Sequence, residues 1–224
     1  MKTRILSAIY FAVSLLFIFV SMQAGKNTAI INKALIMPSL AVLFLLNMKR
    51  PPGRQDYMII AGLFFSWAGD IFLELPDSEV MFVPGLASFL LAHVMYLTVF
   101  FSTEGKNTIS LRKPVLILPV LTYGAALVAY LYKYLGDMRL PVIVYAVVIL
   151  TMLTGAINRY HKVSIISYLL VLSGAILFVL SDSMIAINKF AIAIPSARIF
   201  IMITYVTAQY LIITGYLRQS GDIR

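Results

Sequence analysis

Apolar residues dominate eight stretches of the chain, at about 5–22, 29–47, 57–75, 82–101, 114–134, 140–157, 164–186 and 199–217, each closed by charges, proline or glycine. A membrane span needs ~20 mostly apolar residues to cross ~30 Å of hydrocarbon, and each stretch is close to that length. Amides inside lipid find no water, so such runs predict helices that satisfy their own hydrogen bonds. The pattern predicts an all-α, polytopic membrane helix bundle of about eight transmembrane helices. Short loops leave no room for a separate soluble domain, so residues 1–224 read as a single transmembrane domain.

The first run begins like a secretory signal, with Lys2 and Arg4 ahead of Ile5 to Val20. It exceeds the usual signal length, and Met22-Gln23-Ala24 is a poor cleavage site. A retained first helix is expected.

Composition agrees with a membrane protein: 61% of residues are hydrophobic and 12% charged. The formal net charge of +9 would suggest nucleic acid in a soluble protein. Here the basic residues sit singly or in pairs at helix ends, which points to topology and anionic lipid rather than nucleic acid. With the N-terminus inside, twelve of the eighteen Lys and Arg fall in inner loops and ends. Both termini are therefore expected in the cytoplasm. Compactness alone suggests a bacterial inner membrane. Cysteine is absent, which removes disulfides and thiolate chemistry.

The third and seventh runs echo each other. Gly62 precedes Asp70, and Gly174 precedes Asp182, by the same eight residues; Lys33 and Tyr145 each lie 37 residues before one of these aspartates. Two four-helix repeats in parallel orientation would produce this pattern.

A carboxylate at mid-span costs roughly 2.5–3.5 kcal/mol on insertion scales and belongs in a bundle interior. Gly62, Ser66, Asp70 and Glu74 form one i,i+4 stripe; Gly174, Phe178 and Asp182 form another, and Gly85, Phe89 and His93 a third. Each glycine permits close approach of a neighbouring helix. Under the expected topology the aspartates lie near the outer ends of their helices. Lys33 and Tyr145 are then near the outer surface, and His93, Tyr96, Tyr205 and Gln209 nearer mid-depth. Glu74, beside Pro76 and Asp77, reads as a solvated rim residue. Each of the others also has a plain structural reading: an interhelical hydrogen bond, an interface anchor, a snorkelling lysine, or a serine bonded to its own helix.

Five segments resemble the YhhN family of membrane proteins, whose characterised members are lysoplasmalogenases. They are Asn32 to Pro38, Gly62 to Asp70, Gly85 to Tyr96, Gly174 to Ser183 with Tyr145 before it, and Ala208 to Ile212. Two positions depart from the family: Ala34 where proline is usual, and Glu74 where an apolar residue is usual. The resemblance implies hydrolysis of the vinyl ether bond of a lysoplasmalogen, with a lysophospholipid substrate and no cofactor. Vinyl ethers yield to acid: protonation of the β-carbon gives an oxocarbenium ion, water adds, and the hemiacetal collapses to an aldehyde. Two carboxyl groups in a secluded site suit that sequence of steps.

On this reading Asp70 and Asp182 form the acid–base pair, and His93 orients or relays a proton. Tyr145, Tyr205 and Gln209, with Ser66, line the substrate. Lys33 and Arg198 hold its phosphate, and the chain enters between helices from the lipid. A proton-coupled carrier is the alternative that paired intramembrane acids also fit, and a non-catalytic lipid-binding protein is a third. A metal-dependent hydrolase using Asp70, Asp182, His93 and Glu74 has thin support from one intramembrane histidine.

Overall fold

A computed structural model describes residues 2–23, 26–75, 78–103, 114–221 and 223. Nine α-helices account for most of them: α1 (Lys2–Gln23), α2 (Lys26–Ala34), α3 (Ile36–Asn47), α4 (Arg54–Glu74), α5 (Ser78–Phe101), α6 (Leu118–Leu131), α7 (Arg139–Ile157), α8 (Ile165–Ala186) and α9 (Ala197–Gln219). No strand occurs among the described residues. Seven described stretches are long and apolar enough to cross a membrane. The protein is therefore an all-α, multi-pass integral membrane protein.

Two of the eight expected spans differ in form. Residues 29–47 are read as one helix by hydrophobicity, but the chain breaks at Leu35 into α2 and α3. The cause is Pro38, whose ring nitrogen has no hydrogen to give the carbonyl of Ala34 four residues earlier. The run 114–134 becomes the 14-residue α6 between 3-10 turns at Pro114–Leu116 and Tyr132–Tyr134. A 14-residue α-helix is only ~21 Å long, and the tighter turns extend it.

The chain divides into two compact units, residues 1–96 with 217–224, and residues 97–216. In the first, α1 packs on α2 and α3, which both pack on α4. The start of α4 is fixed by Asp56, which accepts from the Gly53 amide at 2.7 Å and takes a bidentate contact from Arg50 at 2.7 and 2.9 Å. That carboxylate satisfies an orphan amide and opposes the positive end of the helix dipole.

In the second unit α7 packs on α6 and α8. A Cβ on Gly174 of α8 would lie 2.8 Å from the carbonyl oxygen of Ala208 and 3.0 Å from the amide nitrogen of Ile212, both on α9. Backbone meets backbone there, as small residues allow between membrane helices. Arg159, counted from sequence as a loop charge, is wholly buried. Its guanidinium donates to Ser167 at 3.1 Å and Thr103 at 3.4 Å, and stacks over Phe100. Ser167 passes the tie on to the carbonyl of Gly215 at 2.7 Å. Burial lowers the Arg159 guanidinium to about 10, with Tyr216 acting in the opposite sense, so it remains charged at neutral pH.

Candidate active site

The helix break at Leu35 sets up the polar centre of the first unit. With Pro38 unable to donate, the Ala34 carbonyl is taken instead by the indole Nε1 of Trp67 on α4, at 2.9 Å. The contact locks the end of α2 against α4. Lys33, two residues before the break, is thereby held beside the α4 stripe. Its ammonium lies 3.6 Å from Oδ1 of Asp70 and 3.4 Å from Oε2 of Glu74, with the Phe17 ring on another side at 5.7 Å.

Asp70 is 2% exposed and Ser66 wholly buried, as the i,i+4 stripe requires. Two expectations need correction. Glu74 is not a solvated rim residue: its side chain is 8% exposed and ion-paired, because Lys33 reaches it across the α2–α4 contact. Lys33 is not open at the surface for a phosphate; an ammonium between two carboxylates is already compensated.

Tyr10 was not legible as a site residue. It is fully buried on α1 and interacts electrostatically with Asp70 and Tyr96. Its signal was faint: with Ser14 and Phe17 it marks the one buried face of an otherwise exposed apolar helix. His93 is buried on α5 and its Nδ1 donates to the Phe89 carbonyl at 2.5 Å. In the neutral ring that tautomer leaves a lone pair on Nε2. Phe89 itself packs on Gly69, where a Cβ would come within 2.7 Å of its ring. Gly69 therefore allows α4 and α5 to approach one residue from Asp70.

The second unit carries the other aspartate. The Tyr145 hydroxyl on α7 donates to Oδ2 of Asp182 on α8. Each aspartate is thus met by the side chain 37 residues before it, Lys33 in one unit and Tyr145 in the other. Asp182 and Tyr145 line a cavity of about 50 Å³ between α6, α7 and α8, whose remaining walls are mostly apolar, among them Leu127, Val142 and Ile149. Tyr123 donates to Ser183 at 2.7 Å on the same wall. Sequence reasoning missed Tyr123, because a tyrosine in an apolar run reads first as an interface anchor.

Of the other expected substrate contacts, Gln209 and Tyr205 are buried on α9, and Tyr205 meets Phe178 edge to face at 5.5 Å. Arg198 is exposed at the start of α9, one connection beyond the Asp182 end of α8. Ser181 does not bond back within its own helix; it donates to the Ile201 carbonyl of α9 at 3.1 Å.

Comparison with known proteins gives these groups a setting. The chain is 33% identical over 182 residues to the human protein named lysoplasmalogenase TMEM86B, covering 81% of this chain and 73% of that one. It is 36% identical over 166 residues to bovine lysoplasmalogenase TMEM86A, covering 69% and 62%. A lysoplasmalogenase of Mycobacterium bovis is 26% identical over 204 residues, covering 88% and 76%. No solved structure matches. Residues 28–216, which include both aspartates and both of their partners, match the YhhN family, and the chain belongs to that family.

Proposed function

We propose that the protein is a membrane-embedded hydrolase that cleaves the vinyl ether bond of lysoplasmalogens. The products are a fatty aldehyde and glycerophospho-ethanolamine or -choline. The observation that carries the reading is the pair of partnered aspartates, Asp70 on α4 and Asp182 on α8, in a chain whose relatives bear the name lysoplasmalogenase.

The reaction needs a proton donor facing an alkene carbon and negative charge facing the cation that forms. Asp182 stands on the wall of an apolar cavity, the surroundings an alkene requires, and takes the role of acid. Proton transfer from its carboxyl group to the β-carbon leaves an oxocarbenium ion and a carboxylate. Asp70, ion-paired with Lys33, supplies the second carboxylate: it stabilises that cation and accepts the proton of the attacking water. As the hemiacetal C–O bond breaks, Asp70 returns its proton to the departing glycerol oxygen and the hemiacetal hydroxyl gives its proton to Asp182, so the aldehyde leaves with both carboxyl groups restored. Tyr145 orients Asp182 through its hydroxyl. Glu74 shares Lys33 with Asp70 and sets its position. His93, Tyr205, Gln209 and Ser66 supply polar groups for the water and the glycerol oxygens, and Arg198 meets the phosphate. This chemistry makes the two carboxylates serve one substrate, within a single transmembrane domain whose termini are cytoplasmic in a bacterial inner membrane.

Purified protein in detergent, given alkenyl, alkyl and acyl lysophospholipids, is expected to release aldehyde from the alkenyl lipid alone. Asp70→Asn and Asp182→Asn are each expected to abolish release while the protein is still purified in detergent as a folded species. A carrier would release nothing without a sealed compartment, and cleavage of only the acyl lipid would make the protein an ester hydrolase. Near-normal turnover in either variant rejects the pair.

A further inference from the structure

The cavity at Asp182 is too small for a lipid chain, at about 50 Å³. It does not stand alone. A second, open groove of about 410 Å³ runs along α6, α7 and α8, and Tyr123 and Val179 belong to the walls of both. On α8 the groove is lined by Tyr168, Leu172, Ile176 and Leu180, with Val179 beside the last; the first four form an i,i+4 ridge inclined roughly 26° to the helix axis. The stripe starts near the N-terminal end of α8 and ends at the axial level of Asp182; Leu180 itself points away from Asp182, and Val179, three residues before Asp182 and on its face, joins the groove to the smaller cavity.

We propose that this groove holds the hydrocarbon chain of the single-chain lipid whose vinyl ether reaches Asp182, and that its length selects the chain. The inference rests on the hydrolase reading for the identity of the lipid. Its direction follows from charge. At the Asp182 end the unit exposes Lys133, Arg139, Lys189 and Arg198, with Lys133 and Arg139 seated over the rings of Tyr134 and Tyr132 at 4.7 Å each. A phosphate belongs at that end, so the chain runs the other way, past Tyr123 toward Tyr168.

The length follows from geometry. Tyr168 and Asp182 are fourteen residues apart on α8, about 21 Å along the axis at 1.5 Å per residue. An extended alkyl chain advances ~1.3 Å per methylene, from a C–C bond of ~1.5 Å at tetrahedral angles. The groove therefore accommodates about sixteen carbons. A tryptophan at position 172, ten residues from Asp182, closes it at ~15 Å, or about twelve carbons.

The test is a series of lysoplasmalogens with chains of twelve to twenty carbons, offered to the wild-type protein and to Leu172→Trp. The wild type is expected to prefer chains near sixteen. In Leu172→Trp the optimum moves to about twelve, and kcat/KM for the longest chains falls at least about tenfold, as for an overfilled hydrocarbon pocket. An unchanged length profile, or equal loss at every length, overturns the proposal. A second measurement is independent of turnover. An uncleavable alkyl lysophospholipid with a photoreactive chain end should label the segment 157–172, and excess unlabelled lysophospholipid should displace it where diacyl phospholipid does not. Labelling at the separate apolar groove around Trp67 and Pro38, or equal displacement by diacyl lipid, also overturns it. Specific labelling of 157–172 without aldehyde release would instead keep the groove and refute the hydrolase.

Discussion

The Trp67–Ala34 contact yields a prediction whose sign is unusual. Pro38 removes the donor that a continuous helix would offer the Ala34 carbonyl, and the Trp67 indole replaces it at 2.9 Å. Ala34 lies within a stretch apolar enough to span the membrane, so water does not replace a lost donor there. Trp67→Phe keeps a ring but leaves the carbonyl unpaired, at a cost of about 1–3 kcal/mol. Pro38→Ala restores an amide four residues after Ala34. In that background the helix can pair the carbonyl itself, and Trp67→Phe should cost at least ~1 kcal/mol less than in the wild type. The assay is a double-mutant cycle on unfolding of the purified protein in mixed micelles, with all four proteins at the same detergent composition. Aldehyde release gives a second readout, because Lys33 precedes the break by two residues and should lose its place between Asp70 and Glu74 in Trp67→Phe. Additivity of the two substitutions within about 0.5 kcal/mol would refute the exchange of donors, and with it the account of how Lys33 is positioned.

Three further outcomes are expected. Lys33 is shared, so Asp70→Asn and Glu74→Gln should each destabilise modestly, and together by at least ~2 kcal/mol more than their sum, because only the double variant strands a buried ammonium; unfolding in detergent measures this, and additivity contradicts it. Gly174→Ala sets a Cβ 2.8 Å from a backbone oxygen of α9 and should cost about 1–3 kcal/mol, the range for overpacking; an unaltered melting temperature would show that α8 and α9 separate freely. The chain has no cysteine, so single cysteines report topology directly: in intact cells an impermeant maleimide should label Asp137→Cys and not Pro52→Cys, and the reverse would invert the orientation.

The hydrophobic pattern located the seven membrane-length stretches to within about five residues, because burial in lipid acts on each helix separately and leaves its mark locally; the remaining run, 114–134, forms the shorter α6 between 3-10 turns. The i,i+4 stripe of α4 was legible for the same reason: its helix fixes which residues share a face. What escaped depends on contacts between helices. Glu74 reads as a helix-end residue from Pro76 and Asp77, and only the reach of Lys33 from α2 turns it inward. Arg159 counts as a topogenic charge until the ends of α5 and α8 supply Thr103 and Ser167. Tyr10 sits in the plainest of apolar runs. The break at Leu35 was marked in the sequence by Pro38, yet hydropathy sums across a missing hydrogen bond without noticing it.

The interval of 37 residues shows how far local rules reach before chemistry takes over. From Lys33 to the end of α3 is fourteen residues, and from the start of α4 to Asp70 sixteen, so the two arms of the hairpin differ by only ~3 Å at 1.5 Å per residue. Tyr145 and Asp182 lie on the arms of a second hairpin, α7 and α8, at the same total separation. The arms differ by two residues in the first hairpin and by five in the second, so antiparallel packing brings such residues to within about a turn and a half of level, whatever their side chains. The interval therefore belongs to membrane thickness and loop length. The residue types do not: one hairpin places an ammonium beside its aspartate and the other a phenol. A reaction that begins with a proton donated to carbon and ends with one removed from water asks for two carboxyl groups in unlike company. On the proposed reading, a repeated geometry with unequal partners meets that demand.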